Sequence, residues 1–384
     1  MLLGVQVSLC CLLVIGTLVS TRGLDAAFAT RLGFNADNVV VSSFELTLRG
    51  YDRDQGQAFR TRAMEALAAQ PGVDGATFTS SVQLTTDQSR DPVFPESTVE
   101  FTEARAIRAT AYAVPPGYFD VMQTRLLTGR DFRTADTSTS PRVAIINQAL
   151  ARQLFGMSSA VGKRFRTGPG PNTVDVVGVV EDGKYAALTE RPRPALFRPA
   201  SQVYRSGTNV FVRSHLPAGQ VAALTRRTIA ALDPDFPVVY TGTLRDVTSL
   251  AFLPALAATV ALGACGALGI MLAVTGMYGL AAYSVSARTR EIGIRVAVGG
   301  TASQVLRAVL GRTGIVLTAG ATVGAILAIA ASPLLATVVY QASSRDPLIL
   351  LVAAGTMVLI GLSAAWVPAR RAMRVDPVVA LRSE

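Results

Sequence analysis

Few residues of this chain have the types and spacing that catalysis or metal binding requires. The single histidine, His215, has no cysteine or carboxylate cluster around it at metal-ligand spacing. The sequence contains no GxxxxGK(S/T) phosphate loop, no GxSxG nucleophile motif and no HExxH zinc motif. We therefore predict that the chain is not an enzyme, that it holds no metal or cofactor, and that His215 has a structural role.

One segment instead combines charge and apolar residues in a way that suits the binding of another protein. Residues 288–299 read RTREIGIRVAVG, so arginines come first and apolar residues follow. Arginines bind carboxylates through two parallel hydrogen bonds, while side chains such as Ile292 and Val296 fill apolar grooves. The pattern taken alone is also that of a solvated connector, or of arginines that anchor a membrane protein. These alternatives stay open.

The elements that must position this segment are apolar. Four stretches of the chain contain no Asp, Glu, Lys, Arg or His, and they cover residues 1–21, 247–287, 313–344 and 347–369. A helix of about 20 apolar residues crosses the hydrocarbon core of a bilayer. The sequence predicts a membrane protein with four spans: a first helix in 1–22 and others near 252–283, 313–340 and 348–367.

The positive charge is concentrated beside these spans. Between Gly23 and Asp246 there are 25 basic and 22 acidic residues, so most of the net charge of +10 lies elsewhere. Five arginines fall in residues 288–312 and four in 370–382, whereas Arg345 alone precedes the last span. Positively charged loops remain in the cytoplasm. We predict a cytoplasmic loop and C-terminus, an extracytoplasmic large segment, and no binding to nucleic acid.

The segment 23–247 alternates strand and helix signals and contains no cysteine. We predict an α+β domain in which β-α-β halves near 39–105 and 205–245 flank an inserted subdomain near 110–200. A permease domain is expected over 248–384. The first span, 1–22, can also be interpreted as a cleaved signal peptide, but it lacks a basic start, and we favour a retained helix.

Small residues recur on the spans at intervals of four. Gly263 and Ala267 form one pair on the second span, and Gly320 and Gly324 form a GxxxG motif on the third. Such pairs let two helix backbones approach closely. Packing within this chain and packing against a partner permease are both consistent with the pattern.

Several motifs, in order along the chain, resemble one protein family. The segment RxREIGIRVAVG resembles the signature that follows the second span in FtsX-like and MacB-like ABC transporter permeases. Pro368–Ala372 and Arg374–Pro377 resemble the terminal motif of that family. The large segment carries motifs similar to those of the MacB-type periplasmic core domain: Pro116–Phe119, Gly129–Phe132, Val143–Asn147 and Val176–Val180. The resemblance covers essentially the whole chain and is greatest to one half of the acidobacterial duplicated orphan permeases.

The resemblance implies a device that transmits motion across the membrane. In that family a separate cytoplasmic ATPase docks on the loop after the second span and moves the extracytoplasmic domain. By this resemblance the coupling residues are Arg288, Arg290, Glu291, Ile292, Gly293, Arg295 and Val296. The loop departs from the usual pattern at Val296, Val298 and Gly300, and the cytoplasmic lead-in expected before the first span is missing, which suggests a fragment of a longer permease.

We therefore expect the permease subunit of an ABC-type complex in the bacterial inner membrane, which exports or extracts a substrate. The expected partners are a cytoplasmic ABC ATPase, a second permease half or a second copy of the chain, membrane lipids and a periplasmic protein. A regulator of periplasmic or cell-wall enzymes that transports nothing is the alternative, because some relatives use the same motion for signalling.

Overall fold

The computed structural model describes residues 2–28, 30–86, 88–170, 172–188, 190–286, 302–335 and 346–372. The chain divides into two compact units. The helical unit comprises Met1–Ala29 and Leu253–Glu384, and the α+β unit comprises Thr30–Phe252. The predicted fold class, membrane helices with a large α+β segment between the first and the second, is confirmed.

Long apolar helices build the helical unit. Their bounds are α1, Leu2–Phe28; α7, Leu253–Ser286; α8, Ala302–Leu335; and α9, Pro347–Ala372. Within the described residues, four segments are long and apolar enough to cross a membrane: Gly4–Ala27, Leu244–Gly279, Gly314–Pro333 and Pro347–Ala364. Helix α8 starts about ten residues before the third span predicted from residue 313. The polar residues that precede this span continue the same helix, because a change from polar to apolar side chains does not interrupt the backbone hydrogen bonds.

Helix α1 lies in the middle of the helical unit and packs against α7, α8 and α9. Half of the 18 most apolar consecutive residues of α1 are buried, whereas the buried share is 11% in the second span and 28% in the third and fourth. The exposed apolar side chains of the other helices are suited to lipid, in which apolar surface costs nothing. The first helix is thus the most buried of the four spans and the main packing partner of α7 and α8.

A four-stranded antiparallel sheet forms the first layer of the α+β unit. Its strands are β1, Val39–Glu45; β2, Val73–Thr79; β10, Gly207–Ser214; and β11, Tyr240–Thr243, in the order β11-β1-β10-β2. Helices α2 (Arg53–Ala68) and α5 (Ala218–Leu232) pack on it. The first turn of α2 is stabilised by a capping box. The Asp52 carboxylate accepts a hydrogen bond from the backbone N–H of Gln55, and the side-chain oxygen of Gln55 accepts one from the backbone N–H of Asp52.

A seven-stranded mixed sheet forms the second layer. Its strands are β3, Ser89–Pro95; β4, Ile107–Val114; β5, Leu126–Gly129; β6, Val143–Asn147; β7, Arg164–Arg166; β8, Thr173–Val180; and β9, Ala195–Pro199. The order is β5-β8-β6-β9-β4-β3-β7, and β7 pairs with β8 as well as with β3, so the sheet closes on itself. Short helices α3 (Tyr118–Met122), α4 (Gln148–Phe155) and α6 (Leu244–Ser249) complete the unit.

The two sheets share one hydrophobic core. Val41 and Phe211 of the four-stranded sheet belong to the same buried cluster as Tyr112 and Phe197 of the seven-stranded sheet. The rings of Tyr112 and Phe197 stack at a centroid distance of 5.2 Å. Strands from the two flanks of the segment therefore meet in one sheet, and the chain between them forms the other.

The boundary of the inserted part differs from the expected one. Strand β3 already belongs to the seven-stranded sheet, so the insertion begins near residue 89 rather than near residue 110. The sequence of β3, SRDPVFP, contains residues that are rare in strands, which hid it from pattern analysis. Its pairing is fixed by tertiary contacts, among them the ion pair of Asp91 with Arg198.

Candidate functional site

The predicted coupling residues, Arg288, Arg290, Glu291, Ile292, Gly293, Arg295 and Val296, lie outside the described residues. The structure defines the helices on both sides of them. Helix α7 is described to Ser286, and α8 begins at Ala302, so residues 303–310 belong to the same helix as the third span.

Gly320 and Gly324 of α8 lie against the backbone of α1. A methyl group at Gly324 would lie 2.6 Å from the carbonyl oxygen of Ser8, and one at Gly320 would lie 2.7 Å from the Val7 side chain. Neither position has room for a side chain, so the two helix backbones are in close contact. In this structure the GxxxG motif is used within the chain.

The second span meets α1 through a different set of small residues. Ala267 is exposed, and a methyl group at Gly263 would make only an ordinary contact, 3.7 Å from Thr17. Gly266 and Gly269 lie closer to α1, with the added methyl at Gly269 3.2 Å from the sulfur of Cys10. On the second span, the interval of four between small residues did not identify the face that packs.

Two cysteine thiols reach across these contacts. The Cys10 thiol donates to the Gly269 carbonyl oxygen at 3.0 Å, and the Cys11 thiol donates to the Ala321 carbonyl oxygen at 3.7 Å. Both side chains are buried. A thiol is a weak donor, so these bonds orient the helices without fixing them strongly.

An ion pair joins one end of α1 to the start of α9. Arg22 Nη1 lies 2.5 Å from Asp346 Oδ2, and both side chains are partly exposed. The same carboxylate accepts from the Leu348 amide at 2.9 Å and thereby caps α9. Asp346 thus links two helices through one side chain.

The α+β unit is stabilised by directional polar networks. Asp233 accepts from the Tyr51 hydroxyl at 2.6 Å and from Arg49 Nε at 2.9 Å, and these two bonds lower the pKa of the Asp233 carboxyl. Asp136 pairs with Arg130 at 2.9 Å, and this contact, opposed by partial burial, lowers the pKa of Asp136. The first network joins the chain before α2 to the end of α5, and the second closes the loop after β5.

His215 lies beside a single carboxylate. Its Nδ1 is 3.2 Å from Asp74 Oδ1, and the imidazole is largely exposed. Among the described residues, no group of three or more His, Cys, Asp or Glu side chains is placed to hold a metal ion.

The sequence matches the profiles of two protein families. The profile of the MacB-like periplasmic core domain matches residues 1–232, and that of the FtsX-like permease C-terminal domain matches residues 263–377. The first match covers more than half of the chain, and the two matches follow each other in order.

Relatives of known name are similar to the chain over most of its length. The macrolide export ATP-binding/permease protein MacB of Pasteurella multocida is 29% identical over 73% of this chain and 44% of that protein. An uncharacterized ABC transporter permease of Bacillus subtilis, YknZ, is 25% identical over 72% of this chain and 70% of that protein. The chain thus spans less than half the length of its MacB relatives.

Among solved structures, the periplasmic region of MacB from Actinobacillus actinomycetemcomitans is similar to part of the chain. The match has 16% identity and a TM-score of 0.39, and it covers 57% of this chain and 94% of that structure. The extracellular domain of YknZ gives a TM-score of 0.35 at 17% identity over 51% of this chain and 95% of that structure.

Proposed function

Because the chain belongs to the family of ABC transporter permeases with a MacB-like periplasmic core domain and an FtsX-like C-terminal domain, we propose that it transmits motion across a membrane. A separate cytoplasmic ATPase supplies the energy by binding residues 288–296. The α+β unit, on the far side of the membrane, responds to this motion. The observation that carries the proposal is the family match to both domains in one chain.

The sequence of the loop supports an ATPase as the partner. Arg288, Arg290 and Arg295 supply positive charge, and the apolar residues after them suit a groove on a soluble protein. The chain itself contains no GxxxxGK(S/T) phosphate loop, so nucleotide hydrolysis by that route must take place on another protein. The names of the MacB relatives state both functions, ATP binding and permease.

The geometry of the helical unit supports transmission through α8. The helix runs from Ala302, beside the coupling residues, to Leu335, and it contacts α1 at Gly320 and Gly324. Contacts between small residues allow one helix to slide or tilt against another at low cost. We propose that a push near residue 302 is passed through these contacts to α1, which also packs against α7 and α9.

The direction of transport follows from orientation. With residues 288–312 in the cytoplasm, the α+β unit faces outward, in the periplasm of a bacterium with two membranes. We propose that it acts there in export or in extraction of a substrate from the membrane. A second permease half or a second copy of the chain completes the complex, and a periplasmic protein receives the substrate.

Charge reversal in the loop tests the coupling. The double variant Arg290→Glu, Arg295→Glu is expected to abolish co-purification of the ATPase from membranes, because each reversal turns an attraction to carboxylates into a repulsion. The matched control is Arg226→Glu, Arg227→Glu, which reverses two exposed charges on α5. ATPase recovery that is unchanged in the loop variant, or equally lost in the control, contradicts the proposal.

A further inference from the structure

A cleft of the α+β unit is lined by arginines from separate parts of the chain. Its volume is about 430 Å³, and Arg53, Arg142, Arg198 and Tyr204 line it. Arg53 begins α2, Arg142 directly precedes β6, and Arg198 lies on β9. One wall therefore comes from the layer of the four-stranded sheet and the other from the seven-stranded sheet.

Positive charge exceeds negative charge around this cleft. Asp91 pairs with two arginines at once, Arg198 and Arg205. In the described part of the chain, no carboxylate lies within ion-pair distance of Arg53 or Arg142. Asp52, next to Arg53 in sequence, is engaged as the cap of α2, since its Oδ1 accepts from the Gln55 amide at 2.8 Å.

The arginine on β9 is held in place and only partly neutralised. The side chain of Arg198 is 17% exposed, and burial, together with the positive charges of Arg205 and Arg142, lowers its pKa. Asp91 opposes this effect. A buried cation whose neighbours are also cations is stabilised by any anion that enters the cleft.

The other two arginines are available at the mouth of the cleft. Arg142 is exposed and donates from Nη1 to the side-chain oxygen of Asn172 at 2.7 Å, which orients the guanidinium but leaves its charge unpaired. Arg53 is also exposed. The Tyr204 ring lies 5.1 Å from the guanidinium of the buried Arg60, which holds the tyrosine in position as part of the wall.

We propose that this cleft binds a phosphate-type anionic group. Guanidinium groups bind phosphate through paired hydrogen bonds, and a phosphate monoester carries up to two negative charges, which suits a site with several arginines. The cleft volume lies within the range of about 300–1,000 Å³ found for small-molecule sites. The group is carried either by a soluble phosphate ester or by the headgroup of a lipid.

This inference concerns the α+β unit alone and does not depend on coupling to an ATPase. Loss of ATPase binding in the loop variant would leave the cleft unchanged. Likewise, loss of anion binding would not affect the proposal about the loop. The two ideas therefore fail separately.

Equilibrium binding to the full chain in detergent tests the cleft. The soluble probe is inorganic pyrophosphate, and the lipid probe is short-chain phosphatidic acid in mixed micelles, with phosphatidylcholine as the neutral reference. Arg142→Gln and Arg53→Gln are each expected to weaken binding about tenfold, because each removes a charged hydrogen-bond donor. Both side chains are exposed, so the fold is expected to stay intact, as thermal unfolding would verify.

The control is Arg62→Gln, which removes the same charge from the exposed side of the same helix, α2, outside the cleft. Binding of either probe that is weakened by the cleft variants and not by Arg62→Gln supports the proposal, and the tighter probe identifies the source of the group. Failure of the wild-type chain to bind either probe overturns it. An equal loss in all three variants also overturns it, because that result indicates binding to net charge alone.

Discussion

The helical unit and the α+β unit are held together by different kinds of contact. In the helical unit, close packing of small residues brings backbones together, and one ion pair, Arg22–Asp346, joins described residues. In the α+β unit, aromatic side chains fill the core, and ion pairs such as Arg130–Asp136 connect the loops. We therefore expect the helices to shift along one another more readily than the strands, and the sheets to move as a body.

In the function proposed above, this difference gives the two units separate tasks. Contacts between small residues depend on close approach and not on a fixed hydrogen-bond geometry, so a small sliding motion keeps most of them. Interdigitated aromatic rings do not tolerate such sliding, because protein cores are close-packed. A permease that transmits motion needs both: helices that move and a domain that does not deform.

The largest expected effect is on the aromatic core. Phe59 is fully buried, and its ring stacks on Phe236 at a centroid distance of 4.5 Å. Phe59→Ala is expected to destabilise the α+β unit by about 3–5 kcal/mol. Hydrogen–deuterium exchange of the full chain in detergent should show faster exchange in the four-stranded sheet and unchanged exchange in α1. Faster exchange in both units would contradict the separation.

The next largest effect is expected at the closest helix contact. Gly324→Ala places a methyl group against the Ser8 carbonyl oxygen, a backbone atom that cannot rotate away, so the helical unit should lose about 1–3 kcal/mol of stability. Gly314→Ala is the matched control, because a methyl group there meets nothing within 4 Å. Thermal unfolding in detergent should separate the two variants. Equal midpoints would show that the close contact of α8 with α1 has no energetic weight.

A smaller effect is expected from the polar networks and depends on pH. The lowered pKa of Asp136 means that its contribution to stability is present above the pKa of an unfolded aspartate, about 4, and is lost as pH falls through the lower folded value. Asp131 changes the stability with pH in the opposite direction, because burial raises the pKa of its carboxyl. Asp136→Asn is expected to cost about 1 kcal/mol at neutral pH.

The test is the difference in unfolding free energy between the wild-type chain and Asp136→Asn at several pH values. Asp131 is present in both chains, so its effect cancels. The difference should shrink below about pH 4. A difference that is constant with pH would show that the Arg130–Asp136 contact acts through shape and not through charge.

The smallest effect is expected at the ion pair of the helical unit. Arg22→Gln removes a partly exposed pair, which contributes roughly 0.2–1 kcal/mol. Asp346→Asn also weakens the acceptor that caps α9, so it should cost somewhat more. Thermal unfolding of the two variants gives the comparison. A larger loss for Arg22→Gln would mean that the pair, and not the cap, is the important contact.

Much of the fold follows from local patterns. Helix α5, Ala218–Leu232, can be read from the sequence, because its apolar residues recur at helical spacing. The bounds of β11, Tyr240–Thr243, cannot be read in this way, since its partner β1 and not its own pattern decides where pairing begins. The strand β3 was missed for the same reason: pairing with β4 and β7 compensates for its poor strand residues.

The sites followed less closely from the sequence. The GxxxG motif marked positions of close contact, but the sequence did not show that Gly320 and Gly324 face α1. The arginines of the cleft are far apart in the chain, at positions 53, 142 and 198, and only the fold brings them together. The coupling residues remain a prediction from the sequence.

Cross-linking at the loop tests the central claim most directly. A photoreactive amino acid is placed at Ile292 in the coupling segment, with a second variant labelled at Leu48, an exposed residue of the α+β unit, as the reference. After illumination in intact cells, the Ile292 variant should be joined to a nucleotide-binding protein, and the Leu48 variant should not. No such product from Ile292, or the same product from both positions, would contradict the account.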